Sequence, residues 1–411
     1  MLPSKDVIRI RYFGTRCSFQ PDVDGLCLPE AILSGHGGAV HRLCIPACYL
    51  PYRPSTVDTW LRSPRVKNLQ VLEFYYMFPR FVGKTITLPH EFSSSAPSPP
   101  TSTLLFSSSL HTVTFSLCQI PDKYAESFKL PLLKRLWFLE VDISDVSLQI
   151  IINHGCPALE WLLLVCNNLD DCIRINSAKV ELICILCENG ELVVEDAPSL
   201  KRLIHDIQSR QLQITVFSAS KLECLGNFYE RFPESKIVFG STVIEALSVV
   251  SLSVAVQSVK TLLIHMSLNL DKVVALMRFF PSLENLFIEG GVCREEGVTN
   301  KWRHKHREFL KQHDIRLNTV KLEQYVHCKK NIEFATFFIL NAKELETMRL
   351  KFLSPPDNIT EGFYEHQEEV LQWGNKASRS ARLILSGLDF QLELYALSVS
   401  LSGTCFYALQ S

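Results

Sequence analysis

The chain has 411 residues, 47% of them hydrophobic, 10% aromatic and 21% charged, which is a globular composition and excludes disorder or coiled coil over most of its length. Lys and Arg total 42 against 43 Asp and Glu, so no global positive field draws a polyanion and nucleic acid is not an expected partner. The length suits two or three domains or one long repeat array. At the N-terminus, Arg9 and Arg11 interrupt the apolar stretch that a secretory signal needs. The longest nearly uncharged apolar run, Ala246 to Val256, has 11 residues, too short to cross a hydrocarbon layer of roughly 30 Å, so no membrane partner is expected. Fourteen cysteines without an export signal imply reduced thiols and a cytoplasmic or nuclear protein. Cys184 and Cys187 lie in a strand-like run whose side chains three apart face opposite ways, and Cys44 with Cys48 reads as packed thiols, so neither pair predicts a metal.

Large apolar residues recur at positions 1, 4 and 6 of a repeated window. In chain order the windows open at Val40, Leu69, Leu110, Leu133, Leu159, Val180, Leu200, Leu222, Val259, Leu283, Leu317 and Leu345. Those at Leu200 and Leu222 are imperfect, ending in His205 and Asn227. Spacings run from 20 to 41 residues and cluster in the leucine-rich range, with the long gaps as insertions. Pro131, Pro157, Pro198 and Pro281 each stand two residues before a first-position Leu and mark the end of one element. Between windows the period becomes helical. Val146, Ile150 and Ile151 are expected on one helix face capped by Asp145 and stopped by a left-handed Gly155, and Val273, Val274 and Met277 on another. This predicts an α/β leucine-rich-repeat solenoid, with parallel strands on a concave face and helices on the convex one.

Three further stretches are distinct. Residues 93–109 are rich in Ser, Pro and Thr and predict a flexible insertion. Lys301 to Arg307 is a basic run in which Trp302, Phe309 and Leu310 share a helix face and leave the cations solvated. Phe363, Val370 and Trp373 predict a terminal helix within Glu361 to Asn375.

Catalytic patterns are thin. Gly83-Lys84-Thr85 lacks the first glycine of a phosphate loop, Gly35 to Gly38 lack dinucleotide spacing, and His90-Glu91 lacks a second His at position 94. No enzyme activity, metal or cofactor is therefore predicted. A binding surface is better supported, because positions 3, 5 and 7 of each window project from the concave face. The candidates are Glu73, Tyr75, Arg135, Trp137, Trp161, Leu163, His265, Phe287, Glu289, Lys321, Glu323, Arg349 and Lys351. Trp137, Trp161 and Phe287 are the expected anchors unless the insertion before Leu110 covers them. At roughly 4.8 Å per strand, the surface is the size of a protein or peptide groove rather than a metabolite pocket.

The ordered segments 32–50, 55–76, 106–122, 130–164, 193–204, 246–264 and 273–289 resemble the leucine-rich region of plant F-box proteins that end in an FBD domain, and 314–352 (DIRLNTVKLEQ to LNAKELETMRLKF) resembles the FBD module. Residues 2–9 are similar to the middle of an F-box, and the following RYFGTRCSFQPDV departs from its Arg-Trp ending. The resemblance implies four stretches: a degenerate F-box remnant or irregular N-terminus at 1–30, a solenoid at 31–300, an FBD-like continuation at 301–386, and an atypical tail at 387–411. It also implies a non-catalytic recognition module, the substrate-binding subunit of a cullin-type ubiquitin ligase. A Skp-type adaptor and cullin would join only if an F-box is completed upstream. The alternative is a leucine-rich-repeat scaffold with no ligase role.

Overall fold

The computed structural model describes residues 7–9, 39–47, 49–75, 96–165, 172–186, 189–205, 211–230, 235–251, 255–290, 301–353 and 361–387. The chain divides into two compact units, Met1–Ser199 and Leu200–Ser411, a division inside the stretch read as the repeat array. Two local backbone devices build both units. First, the N–H of a first-position residue closes a turn on the carbonyl three residues earlier: Leu69 on Val66, Leu133 on Leu130, Leu159 on Cys156, Leu222 on Ala219, Leu283 on Phe280 and Leu345 on Ala342, at 3.0–3.4 Å. Pro131, Pro157 and Pro281 sit second in such turns, where a fixed φ is favourable and no N–H is required. Second, the carbonyl at position 2 accepts two N–H groups from the following strand. His41, Gln70, His111, Lys134 and Glu160 do so in the first unit, and Lys201, Glu223, Lys260, Glu284 and Asn318 in the second, at 2.7–3.1 Å.

In the first unit these devices align the strands Val7–Arg9, Arg42–Pro46, Val71–Tyr75, Thr112–Ser116, Arg135–Leu139, Trp161–Val165 and Leu182–Leu186 side by side, all parallel. In the second, Arg202–His205, Cys224–Tyr229, Thr261–Met266, Asn285–Gly290, Thr319–Tyr325, Thr347–Phe352 and Arg382–Gly387 do the same. The fold is therefore an α/β leucine-rich-repeat solenoid, and the last three strands continue it through the stretch read as FBD-like. All ten complete triplets are buried, none more than 3% exposed. Each such side chain contributes roughly 1.5–3 kcal/mol of hydrophobic stabilisation. Sixth-position rings also stack from repeat to repeat: Phe74 on Phe115 at 5.9 Å, and Phe115 on Phe138 at 6.0 Å.

Behind the strands the backing changes along the chain. Helices Pro54–Leu61, Asp122–Ser127 and Asp145–Ile150 serve the first unit, and Leu270–Phe279, Lys329–Asn341 and Glu361–Val370 the second. From Leu159 to Val259 strands take their place: Cys172–Asn176 pairs parallel with Asn189–Asp196, and Gln211–Val216 with Lys236–Phe239. Three of these four repeats, from Leu159 to Leu222, are the shortest of the series. Their backing segments alternate, with Ile173 and Ile175 buried and Arg174 and Asn176 exposed, so a period of two prevails over a helix.

Several local expectations change. Ser144, not Asp145, caps its helix by accepting the Ser147 N–H at 3.2 Å, and Val146 points to solvent while Leu148, Ile151 and Ile152 face inward. Gly155 ends a π turn without left-handed backbone, and the close approach of Phe128 O, 2.4 Å from where a Cβ would stand, is what requires glycine. Val273, Val274 and Met277 are inward as expected. The register shifts between Leu225 and Phe228, so Phe228 rather than Asn227 lies opposite Ile264. Residues 96–109 are not a free insertion: a 3-10 turn at Thr101–Phe106 buries Phe106, and the Gln119 N–H reaches Pro97 O at 3.0 Å. Residues 93–95 lie outside the described residues. The basic run breaks into Trp302–Lys305 and Arg307–Gln312. Between them His306 is buried and contacts Asp271 Oδ1 at 2.9 Å, and Lys305 pairs with the same carboxylate. The terminal helix forms at Glu361–Val370, with Trp373 buried just beyond it.

Candidate protein-recognition surface

Positions 3, 5 and 7 share the face opposite the triplets because side chains alternate along a strand. In the first unit the fifth-position row runs Cys44, Glu73, Thr114, Trp137, Leu163, Cys184 in direct register. Its third-position neighbours include Arg42, Val71, Thr112, Arg135, Trp161 and Leu182. The Arg135 guanidinium lies 4.3 Å from the centre of the Trp161 ring, a cation–π contact that fixes both. Glu73 is not the solvent-facing acid expected. Arg42 Nη2 is 3.0 Å from both of its carboxylate oxygens, and the Cys44 thiol donates to Oε2 at 2.9 Å. Burial, then the Glu73 charge, pushes the Cys44 thiol up to about 12, so it is an inert hydrogen-bond donor.

In the second unit Phe287, Lys321, Arg349 and Ile384 stand in one register row. His265, Glu289 and Glu323 form the next. The Tyr229 ring stacks on His265 at 3.9 Å, and His265 Nδ1 meets Glu289 Oε2 at 2.7 Å. Gln324 Nε2 donates to Glu289 Oε1 at 2.5 Å. Lys321 Nζ is 2.6 Å and Lys351 Nζ 3.5 Å from the two oxygens of Glu323. At the end of the Cys224–Tyr229 strand, Glu230 accepts from Lys272 Nζ at 2.6 Å and from the Ser267 N–H and hydroxyl, each at 2.8 Å. Burial alone would raise its pKa, but these donors hold it below the usual carboxylate value.

All thirteen candidates lie at or beside the paired strands of their own unit, and none stands fully in water. Glu73, Tyr75, Trp137, Leu163, Lys321, Glu323 and Lys351 are buried, and Arg135, Trp161, His265, Phe287, Glu289 and Arg349 are half-buried. The cause is the ladder: side chains in register at roughly 4.8 Å flank one another on both sides. The motif reading missed Arg42 and Cys44, which the same window rule places on this face. It also missed Tyr229, brought opposite His265 by the register shift. Gln324 and Glu140 take left-handed backbone at position 8, with φ of 54° and 55°. Among the described residues no group of three or more His, Cys, Asp or Glu side chains could hold a metal, and the described cysteines are free thiols. Gly35 to Gly38, Gly83 to Thr85 and His90-Glu91 lie outside the described residues, as do the 1–30 stretch apart from 7–9 and the tail beyond Gly387.

A family model described as FBD-associated F-box protein At5g56370, LRR repeats, matches residues 57–288, more than half of the chain. The chain belongs to this family. No curated protein matches it. The family match and the strand register agree on which residues form repeats, since the match spans the windows from Leu69 to the one opened by Leu283. The family is generally non-catalytic, and its leucine-rich repeats point to a protein-interaction module.

Proposed function

We propose that this chain is the substrate-recognition part of a cullin-type ubiquitin ligase, holding a protein target on its strand face while partners supply the chemistry. The observation that carries this reading is the pair of in-register faces, one of aromatic and aliphatic side chains around Trp137, Trp161 and Leu163, the other of charged groups around His265, Glu289 and Arg349. Such rows offer affinity and geometry and require no reactive group. Recognition of this sort works by raising the local concentration of the target beside the enzyme that modifies it. The stretch 314–352 is taken as the FBD module, a plant source as implied by the family, and the site of action as cytoplasm or nucleus, in keeping with the free thiols among the described residues.

Affinity purification of the tagged 411-residue chain from plant cells tests the reading. Recovery of a Skp-type adaptor and a cullin supports ligase membership. Recovery of other proteins without them, lost on Trp161→Ala, supports a recognition scaffold with no ligase role. No partner of any kind would count against both.

A further inference from the structure

On the charged face of the second unit, one cation stands outside the ion pairs among the described residues. Around Arg349, the neighbouring ionic side chains are engaged: Lys321 and Lys351 both meet Glu323, and His265 meets Glu289, which also accepts from Gln324. Arg349 is half-buried and makes no hydrogen bond or ion pair with any described residue. A guanidinium presents five N–H donors in a rigid plane, and withdrawing them from water without an acceptor is costly. Arg349 is half-buried and has no acceptor among the described residues, so the part of its fork that faces solvent can take one from a ligand. The planar fork matches a carboxylate in two-point contact better than it matches a single neutral oxygen.

The surroundings restrict the ligand further. Arg349 lies in register between Lys321 and Ile384, and Phe287 is one strand beyond Lys321. Two strand spacings separate Phe287 from Arg349, about 10 Å, and an extended peptide covers that distance in about three residues. We infer that Arg349 anchors an Asp or Glu side chain of a protein partner, with a large apolar side chain about three residues away seated against Phe287. The inference rests on the recognition reading above and assigns the chemistry of one subsite within it.

A displayed library of random twelve-residue peptides, selected on the purified 411-residue chain, is the test, with thermal unfolding confirming that each variant is folded. The wild type is expected to enrich peptides with an acidic residue about three positions from an aromatic or large aliphatic one. Arg349→Gln is expected to weaken the selected peptides about tenfold or more, as loss of a charge-assisted pair implies. Replacing the peptide's Glu by Gln should cost as much, and the two changes together should cost little more than either. Arg349→Glu should reverse the preference toward basic peptides. Enriched peptides without acidic bias, equal binding by Arg349→Gln, or binding of phosphoserine peptides alone would overturn the inference and leave the recognition reading standing. A folded chain that enriches no peptide would overturn both.

Discussion

Glu140 sits just after the Arg135–Leu139 strand with left-handed backbone, and neither of its carboxylate oxygens has a hydrogen-bond partner among the described residues. Burial raises its pKa from 4.5 to about 7. Because the folded value lies above the unfolded one, the fold favours the protonated acid. That contribution is complete below about pH 4.5 and is lost as pH rises toward and through about 7. Glu140→Gln should therefore match the wild type in urea stability near pH 4.5 and exceed it at pH 8. The expected gain is roughly 1–2 kcal/mol after allowance for partial solvent exposure. Equal stability at both pH values would show the carboxyl to be solvated. A second test at this scale is Gly155→Ala: the new methyl would press on the Phe128 carbonyl, a backbone atom, and should destabilise by about 1–3 kcal/mol. An unchanged denaturation midpoint would mean that the π turn yields freely.

The elements show what a single chain discloses and what it conceals. Window positions 1, 4 and 6 were readable because burial follows a short period, and the strands at Leu43, Phe74 or Leu136 stand where that period places them. The helix at Leu270–Phe279 was readable for the same reason, and Asn269 caps it through the Asp271 and Lys272 N–H groups. The strands behind Leu159 to Val259 were harder to see, because a short segment with three apolar residues, such as Ile214 to Phe217, suits either backing. Side-chain partnerships on the candidate face were hardest. Arg42 with Glu73 and His265 with Glu289 are 31 and 24 residues apart, separations set by insertion lengths rather than by any local pattern. Tyr229 is the clearest case: one register shift moved it opposite His265, and no short motif announces such a shift.

At the level of the whole chain, the two compact units predict how it comes apart. Repeat arrays derive stability from each repeat and its immediate neighbours. Leu136 and Met348 are fully buried, one in each unit, and alanine at either should cost about 2–5 kcal/mol. In urea, Leu136→Ala is expected to shift a transition reported by Trp137 and Trp161 fluorescence, and Met348→Ala one reported from the second unit. A single transition displaced equally by both variants would show that the units unfold together.

The carbonyl at position 2, which accepts two N–H groups from the next strand, recurs whatever the length of the intervening segment. An insertion can therefore lengthen a loop without altering the joint on either side of it. It follows that slow deuterium uptake should mark paired amides such as those at 134–135, 160–161 and 284–285. The resulting periodic trace would let the number of coils be counted in solution.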